Sequence, residues 1–367
     1  MEWLEALVLG AVQGITEFLP ISSDGHLLVT QAIFAWLTGS AKSGEENLFF
    51  DVMLHLGTLT AILVYYRAVV KTAFKGLLGS VEVSPAYQRP ALIRTGMLAL
   101  VATSPLVPLA LFFMKIIKKT FDPDNPTPAG VGFLITASVL LLTVFLQKRG
   151  EAGKGAAEMT FLDALLIGLA QMFAPLPGVS RSALTVASAL GLGLSRSWAV
   201  GFSLLIAVPA ILGGAANELK DVPKLLKSNP AMFTGDRVLQ ALAATILAGI
   251  IGYGAIIWLV KIVRSGRMWY FSVYLIVLGL VVILVASKMT PKPGAPPDAR
   301  VEKLDDGSAR SGHSGPTSLE FSGRSFRSLD RPHGTRSHPG LVATRENFQG
   351  DRPPQGLVLG RPLAGRS

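Results

Sequence analysis

Residues 13–26 read QGITEFLPISSDGH and interrupt an apolar stretch. On either side, residues 3–19 and 24–38 are each too short to cross a membrane, which needs about 20 mostly apolar residues. Pro20 disfavours helical geometry at the residue before it, and the serines and aspartate that follow are good N-caps for a second helix. A short helix, a break and another short helix predict a re-entrant hairpin, whose irregular backbone must be buried in protein or line a wet cavity.

The same pattern recurs 158 residues later, where 161–174 and 182–194 are separated by PLPG at 175–178. Six residues of the first region recur at this offset, namely Leu4, Ala6, Leu7, Gly10, Gln13 and Ser22 as Leu162, Ala164, Leu165, Gly168, Gln171 and Ser180. Three apolar spans separate the two regions, and an odd number inverts the second copy in the membrane. Such repeats place a site near the bilayer midplane. We predict inverted repeats at about 1–148 and 149–288.

Composition indicates a membrane protein. Of the 367 residues, 50% are hydrophobic and 16% are charged, whereas soluble domains carry about 25% charged residues. Six segments are long and apolar enough to span a bilayer: 48–66, 92–114, 128–147, 197–216, 238–260 and 269–287. The predicted fold is therefore an all-α integral membrane protein with about six transmembrane helices and two re-entrant hairpins.

The remaining composition excludes several classes of protein. The chain has no cysteine, which excludes disulfides, thiolate catalysis and Cys-based zinc sites. Residues 289–367 are rich in Pro, Gly, Ser and Arg without hydrophobic periodicity, so we predict a disordered tail after a membrane domain at 1–288. Basic membrane-flanking loops and this tail account for the net charge of +10, and no nucleic-acid partner is expected.

The first break carries candidate catalytic residues. Gln13 and Glu17 are four residues apart on one helix face, and a carboxylate in an apolar run is a functional hypothesis by default. The alternative is an interfacial glutamate near a helix end. After the break, Ser22, Ser23 or Asp24 caps a helix whose N-terminus can bind an anion. Ser23 and His26 are spaced for a nucleophile–base pair; plain capping beside an incidental histidine is the alternative.

The second break reads PGVSRSALT over residues 177–185. Ser180 or Ser182 can cap the helix that follows, which places Arg181 in its first turn, where a cation opposes the helix dipole. That placement favours a bound anion, and the planar guanidinium suits phosphate oxygens. The alternative is a structural arginine paired with Glu17 or a carbonyl.

Together the opposed helix ends form a set of groups suited to phosphoryl chemistry. They can bind phosphate, supply Ser23 as a nucleophile activated by His26, or let Glu17 or His26 activate water. A Mg²⁺ ion held by one carboxylate and substrate phosphates would also fit. We therefore expect hydrolysis of a lipid phosphate ester or anhydride. One alternative is a transporter or flippase, because inverted repeats with broken helices are common in transporters. Another is the type of lipid phosphatase with KxxxxxxRP, PSGH and SRxxxxxHxxxD motifs. The sequence matches that type less well, because no histidine follows Arg181 at the required spacing.

Asp51 and His55, four residues apart at the start of a span, are a further polar pair. They are either partners that support the site or an interfacial polar pair.

These motifs, with FDVMLHLGT at 50–58, resemble the undecaprenyl-diphosphate phosphatase family, also called UppP or BacA bacitracin-resistance proteins, over about residues 1–288. The resemblance implies a multi-pass protein of the bacterial inner membrane that dephosphorylates undecaprenyl diphosphate. This reaction recycles the lipid carrier of peptidoglycan synthesis, and so serves cell-wall biogenesis, cell shape and bacitracin resistance. It also implies a divalent cation, Mg²⁺ or Ca²⁺, as cofactor.

The family motifs carry site roles onto matching positions. The resemblance implies a catalytic set of Glu17, Ser23, His26 and Arg181. It implies phosphate binding by Ser22, Ser180, Arg181, Ser182 and Thr185. It implies a metal held by Glu17 and, more weakly, by Gln13, since an amide is a poorer cation ligand than a carboxylate.

Overall fold

A computed structural model of the chain describes residues 3–38, 44–79, 84–109, 125–146, 153–220 and 234–289. Within these ranges the chain forms helices and no β-strand, only an isolated bridge between Lys154 and Leu194. Besides two three-residue helices, Pro85–Tyr87 and Leu106–Pro108, the helices are α1 (Trp3–Thr16), α2 (Ser23–Thr38), α3 (Gly44–Tyr65), α4 (Arg67–Leu78), α5 (Arg89–Thr103), α6 (Thr127–Leu146), α7 (Phe161–Gln171), α8 (Arg181–Gly191), α9 (Arg196–Leu219), α10 (Gly235–Arg264) and α11 (Trp269–Met289). The predicted disordered tail lies outside the described residues from position 290 onward.

The helices confirm an all-α, multi-pass membrane protein. Five candidate spans are long and apolar enough to cross a bilayer: Arg89–Pro108, Thr127–Phe145, Arg196–Asn217, Gly235–Arg264 and Trp269–Ala286. The segment predicted as a span at 48–66 lies in α3, which is bent by 67° from α4. The two helices pass this test only together, so they add a sixth span only if the bent pair is counted as one.

Both apolar regions break where the sequence predicts, although the first helix of each ends about three residues early. Helix α1 ends at Thr16 and α7 at Gln171, and in each case turns rather than helix lead into the proline. Each break contains a residue with left-handed backbone, Ser22 with φ 70° and Gly178 with φ 81°. Because both helices end before the proline, the chain begins to reverse there, and the left-handed residue follows the proline. That both hairpins are re-entrant stays a prediction.

Matched glycines let the first helix of each region pack closely on a long helix. A Cβ at Gly10 would lie 2.7 Å from the carbonyl oxygen of Ala244 in α10, and one at Gly168 would lie 2.3 Å from that of Ala102 in α5. Small residues permit this backbone approach between membrane helices. The two regions therefore use the same kind of contact at positions 158 residues apart, and the inverted repeat itself stays a prediction.

Helix α6 brings the two breaks together. A Cβ at Gly132 would lie 2.0 Å from the carbonyl oxygen of Pro177, and one at Gly178 would lie 2.1 Å from that of Ala129. Across the same contact, a Cβ at Gly25 in α2 would lie 2.8 Å from Gly178 Cα. The N-terminus of α2 and the second break thus meet beside α6, which is where the candidate site forms.

We expect Gly132→Ala to destabilise the protein by roughly 1–3 kcal/mol or more, because the clash is with backbone and cannot be relieved by a side-chain rotation. Gly213→Ala is the matched control, since nothing lies within 4 Å of its Cβ and alanine favours helix by up to about 1 kcal/mol. The midpoint of thermal unfolding in detergent measures both. Equal midpoints for the two variants would contradict this packing of the second break on α6.

Candidate active site

A buried ion pair joins the two broken regions. Glu17 lies one residue beyond α1, and its Oε1 accepts a hydrogen bond of 2.6 Å from Nη2 of Arg181, the first residue of α8. The side chains are 4% and 20% exposed, so both charges are largely withdrawn from water. Removing one partner of such a pair leaves an uncompensated charge, which costs about 3–5 kcal/mol. The sequence left open whether Arg181 binds an anion or pairs with Glu17, and the structure contains the pair with Glu17.

The second carboxylate oxygen of Glu17, Oε2, is hydrogen-bonded to neighbouring polar side chains. Oε2 accepts hydrogen bonds from Ser23 Oγ at 2.7 Å and from Gln13 Nε2 at 3.1 Å. His55 Nε2 lies 3.7 Å away on α3. Four of the residues singled out in the sequence, Gln13, Glu17, Ser23 and Arg181, thus meet at one carboxylate.

His55 lies beside the carboxylate of Glu17. Its Nε2 lies between Glu17 and Asp24, 4.0 Å from Asp24 Oδ1. A hydrogen bond of 2.8 Å from Nδ1 to the backbone carbonyl of Asp51 holds the ring in this orientation. These contacts favour the first of the two interpretations for His55, whose ring Asp51 holds through its main chain.

Ser22 shapes the first break through its backbone. Among the described residues other than glycine it alone has a positive φ, a conformation that costs about 1–3 kcal/mol. Its buried hydroxyl accepts from Gly25 N–H at 3.3 Å, and its carbonyl accepts from His26 Nδ1 at 2.7 Å. The strained residue therefore starts α2 and fixes the imidazole ring at the same time.

The expected pair of Ser23 and His26 is not formed. A carbonyl can only accept, so the bond to Ser22 places the ring proton on Nδ1, and Nε2 of the neutral ring accepts from the hydroxyl of Tyr274 at 2.8 Å. Ser23 donates to Glu17 instead. The spacing of three residues in the sequence was compatible with a contact, but the tertiary neighbours of each side chain are different.

The hydroxyls of the second break have structural partners. Ser180 caps α8 by accepting from Ala183 N–H at 3.2 Å. Ser182 donates to the carbonyl of Leu19 at 3.0 Å, which ties the second break to the first. Thr185 Oγ1 lies 2.9 Å from the carbonyl of Arg181 and 2.6 Å from Ser203 Oγ. These residues lie beside the ion pair, and each is already engaged in holding it in place.

Known proteins match almost the whole described region. The profile of a family described as bacitracin resistance protein BacA matches residues 6–281. The chain belongs to this family. Curated relatives named undecaprenyl-diphosphatase are 35% identical to it: that of Carboxydothermus hydrogenoformans over 78% of this chain and 98% of its own length, that of Corynebacterium efficiens over 78% and 91%, and that of Parabacteroides distasonis over 77% and 98%.

Three residues of this BacA-family site were missed in the sequence. Thr136 in α6 accepts from Ser180 N–H at 3.0 Å and donates to the carbonyl of Gly178 at 2.9 Å, so it fixes the second break. Ser203 and Tyr274 support Thr185 and His26. Each is a polar residue inside a predicted span, which was the available signal, because a polar group in apolar surroundings is costly unless it has a hydrogen-bond partner.

The described residues do not supply a complete metal site. No group of three or more His, Cys, Asp or Glu side chains among them is arranged to hold a metal ion. Gln13 Oε1 is buried without a hydrogen-bond partner, but so is Oε1 of the matched Gln171, whose amide donates to the carbonyl of Ala102 rather than to a carboxylate. An orphaned amide oxygen by itself therefore does not mark a cation site. Glu17 and the exposed Asp24 fit a cation only if phosphate oxygens complete its ligands.

We expect Tyr274→Phe to release His26 Nε2 from its hydrogen bond while keeping the stacked ring, whose centroid lies 5.8 Å away. The bond to the Ser22 carbonyl remains, so the proton should stay on Nδ1, and the Nε2 resonance should shift because its hydrogen bond is lost. Nitrogen NMR of histidine-labelled protein measures this, with His26→Gln to assign the signal. Phe133→Leu, which removes the ring on the other side of His26 at 4.9 Å, is the control that keeps both hydrogen bonds. Unchanged ring-nitrogen shifts in Tyr274→Phe would contradict the assignment.

Proposed function

We propose that this member of the BacA family hydrolyses undecaprenyl diphosphate to undecaprenyl phosphate and inorganic phosphate in the bacterial inner membrane. The reaction would recycle the lipid carrier of peptidoglycan synthesis and confer resistance to bacitracin. Support comes from relatives named undecaprenyl-diphosphatase that align over nearly their full length. Further support comes from a membrane body whose polar groups converge on one buried ion pair.

The observation that carries the proposal is the pairing of Arg181 with Glu17 at the N-terminus of α8. A guanidinium and free N–H groups at a helix start bind a phosphate well, since both favour negative charge. In the absence of substrate the carboxylate of Glu17 compensates the arginine. A diphosphate would take over this role, with its oxygens placed between the two helix ends.

Glu17 is the best-placed general base. Its Oε2 accepts the hydroxyl proton of Ser23 at 2.7 Å, within reach for proton transfer. In the proposed sequence, Ser23 Oγ attacks the terminal phosphorus and its proton passes to Glu17. The bond from that phosphorus to the bridging oxygen breaks, and undecaprenyl phosphate leaves with the electron pair. Glu17 then releases its proton to solvent. Water attacks the phosphoserine and loses a proton to Glu17, the bond between phosphorus and Ser23 Oγ breaks, and Glu17 returns that proton to Ser23 Oγ as phosphate leaves.

This arrangement couples the base to the phosphate-binding arginine. When Glu17 takes up a proton it loses its charge, and its attraction for Arg181 falls. The guanidinium is then fully available to the transferring phosphoryl group, whose charge must be stabilised in the transition state. In the second variant of the mechanism, Glu17 activates water directly and Ser23 only orients the carboxylate.

The remaining serines and threonine have positioning roles in this proposal. Ser180 and Ser22 set the starts of α8 and α2, whose N–H groups face the phosphates. Thr185 donates to the carbonyl of Arg181, and Ser182 ties the start of α8 to the carbonyl of Leu19. The two hairpins are then re-entrant halves of an inverted repeat, because that topology brings two helix starts together inside the membrane.

A divalent cation, Mg²⁺ or Ca²⁺, belongs to the same proposal. Glu17 and Asp24, which both approach His55, would hold it together with diphosphate oxygens, and Gln13 would contribute at most its amide oxygen. Such an ion neutralises phosphate charge when bound. The protein would supply carboxylate oxygens as ligands. The side chain of Asp24 is 58% exposed and so accessible to an ion from solvent.

The decisive measurement is phosphate release from undecaprenyl diphosphate by the purified protein in detergent, with Mg²⁺, with Ca²⁺ and with a chelator. Turnover separates an enzyme from a flippase, because detergent leaves no membrane to cross. We expect Arg181→Ala to lower kcat about 100- to 1,000-fold through loss of transition-state charge stabilisation. Near wild-type turnover by Arg181→Ala would overturn the site assignment, and full activity in chelator would overturn the cation proposal.

The matched control for Arg181→Ala is Arg267→Ala, which removes an exposed arginine between α10 and α11. Its turnover should equal that of the wild type. Thermal midpoints of both variants separate lost chemistry from lost folding, since the buried pair also contributes to stability. In Glu17→Gln/Arg181→Ala no charge is left unpaired, so the midpoint should recover while activity stays low.

Ser23→Ala tests the nucleophile. We expect turnover to fall by at least 1,000-fold, and acid quenching of wild-type turnover to trap one phosphoryl group on the peptide that contains Ser23. Ser182→Ala, whose hydroxyl bonds Leu19 and not Glu17, should still form the adduct. Substantial turnover by Ser23→Ala together with an unmodified peptide would instead assign the attack to water.

A further inference from the structure

Helix α4 turns away from the direction of α3. It has an apolar side and a basic side. It is bent by 67° from α3 after a single residue, and it ends at Gly79, whose left-handed backbone closes it. Three basic residues recur every fourth position along it: Arg67, Lys71 and Lys75. This spacing places them on one side of the helix. Lys71 and Lys75 directly follow Val70 and Phe74 of the apolar side, so the basic stripe lies about 100° round the helix, beside that side. A basic stripe beside an apolar side is typical of a helix that lies in the plane of a bilayer interface.

The apolar side of α4 forms an open groove with the first turns of α5. The groove has a volume of about 470 Å³ and is lined by Val70, Ala73, Phe74, Leu77, Leu92 and Ile93. Phe74 and Leu77 are exposed within it. Arg89 shares a face of α5 with the two lining residues of that helix, three and four positions later. The groove is therefore apolar along its length and carries basic groups at its border.

The described charges on α4 and α5 have one sign. Neither α4 nor α5 contains an aspartate or glutamate. Among the described residues, no ion pair joins Lys71, Lys75 or Arg89 to a carboxylate, and all three side chains are exposed. Basic residues at a membrane surface attract anionic lipids, about 1 kcal/mol for each. Charge and shape together match a molecule with an anionic head and an alkyl chain.

We propose that α4 and the start of α5 form a binding site for one anionic phospholipid of the surrounding bilayer. An acyl chain lies in the groove against Phe74, and the phosphate is bound by Lys71, Lys75 and Arg89. The site is separate from the ion pair of Glu17 and Arg181 and does not depend on the proposed phosphatase activity.

Native mass spectrometry of the full chain tests this site. Protein extracted from vesicles of equal phosphatidylglycerol and phosphatidylcholine should retain phosphatidylglycerol in at least tenfold excess. Lys71→Gln/Lys75→Gln/Arg89→Gln should abolish that excess, and Phe74→Ala should lower retention of both lipids. Lys220→Gln/Lys261→Gln/Arg267→Gln removes the same charge from exposed positions elsewhere and should retain the preference.

Three results would overturn the proposal. Equal loss in both triple variants would mean general electrostatic attraction rather than a site. Displacement of phosphatidylglycerol by an equal concentration of undecaprenyl phosphate would assign the groove to the prenyl chain of the substrate. Dimers that form as lipid is lost, and that Phe74→Ala prevents, would assign it to a second copy of the chain.

Discussion

The contact on which the candidate site depends is the ion pair between Glu17 and Arg181. It joins the end of α1 to the start of α8 across 164 residues of sequence, in surroundings where an unpaired charge would be costly. Because Glu17 Oε1 is bound by the arginine, Oε2 is oriented toward Ser23 and Gln13. One electrostatic constraint therefore positions the carboxylate, the candidate nucleophile and the phosphate-binding cation relative to each other.

Close backbone packing makes this contact possible. The two breaks approach each other because Gly25, Gly132 and Gly178 have no side chain where α2, α6 and the second break meet. Hydrogen bonds then fix the approach, from Ser182 to the carbonyl of Leu19 and from Thr136 to both sides of the second break. Polar side chains inside membrane spans here hold irregular backbone in place, and that backbone presents the helix starts to the site.

The candidate chemistry also differs from a simple serine–histidine arrangement. His26 is held between the carbonyl of Ser22 and the hydroxyl of Tyr274, whereas Ser23 faces Glu17. His55 occupies the position between two carboxylates. The site thus has a carboxylate at its centre and two histidines at its edges, which suits a reaction that depends mainly on positioning and on stabilising phosphate charge.

The sequence by itself determined the helical membrane class, both breaks and the residues Glu17, Ser23 and Arg181, because apolar length, proline position and isolated charges are local properties of the chain. It placed the ends of α1 and α7 about three residues late, since turns before a proline depend on packing. Only the tertiary structure decided which residues meet: that Ser23 bonds Glu17 rather than His26, that Tyr274 reaches His26, and that His55 belongs to the site. Those pairings join residues on different helices, and spacing along a single helix carries no information about them.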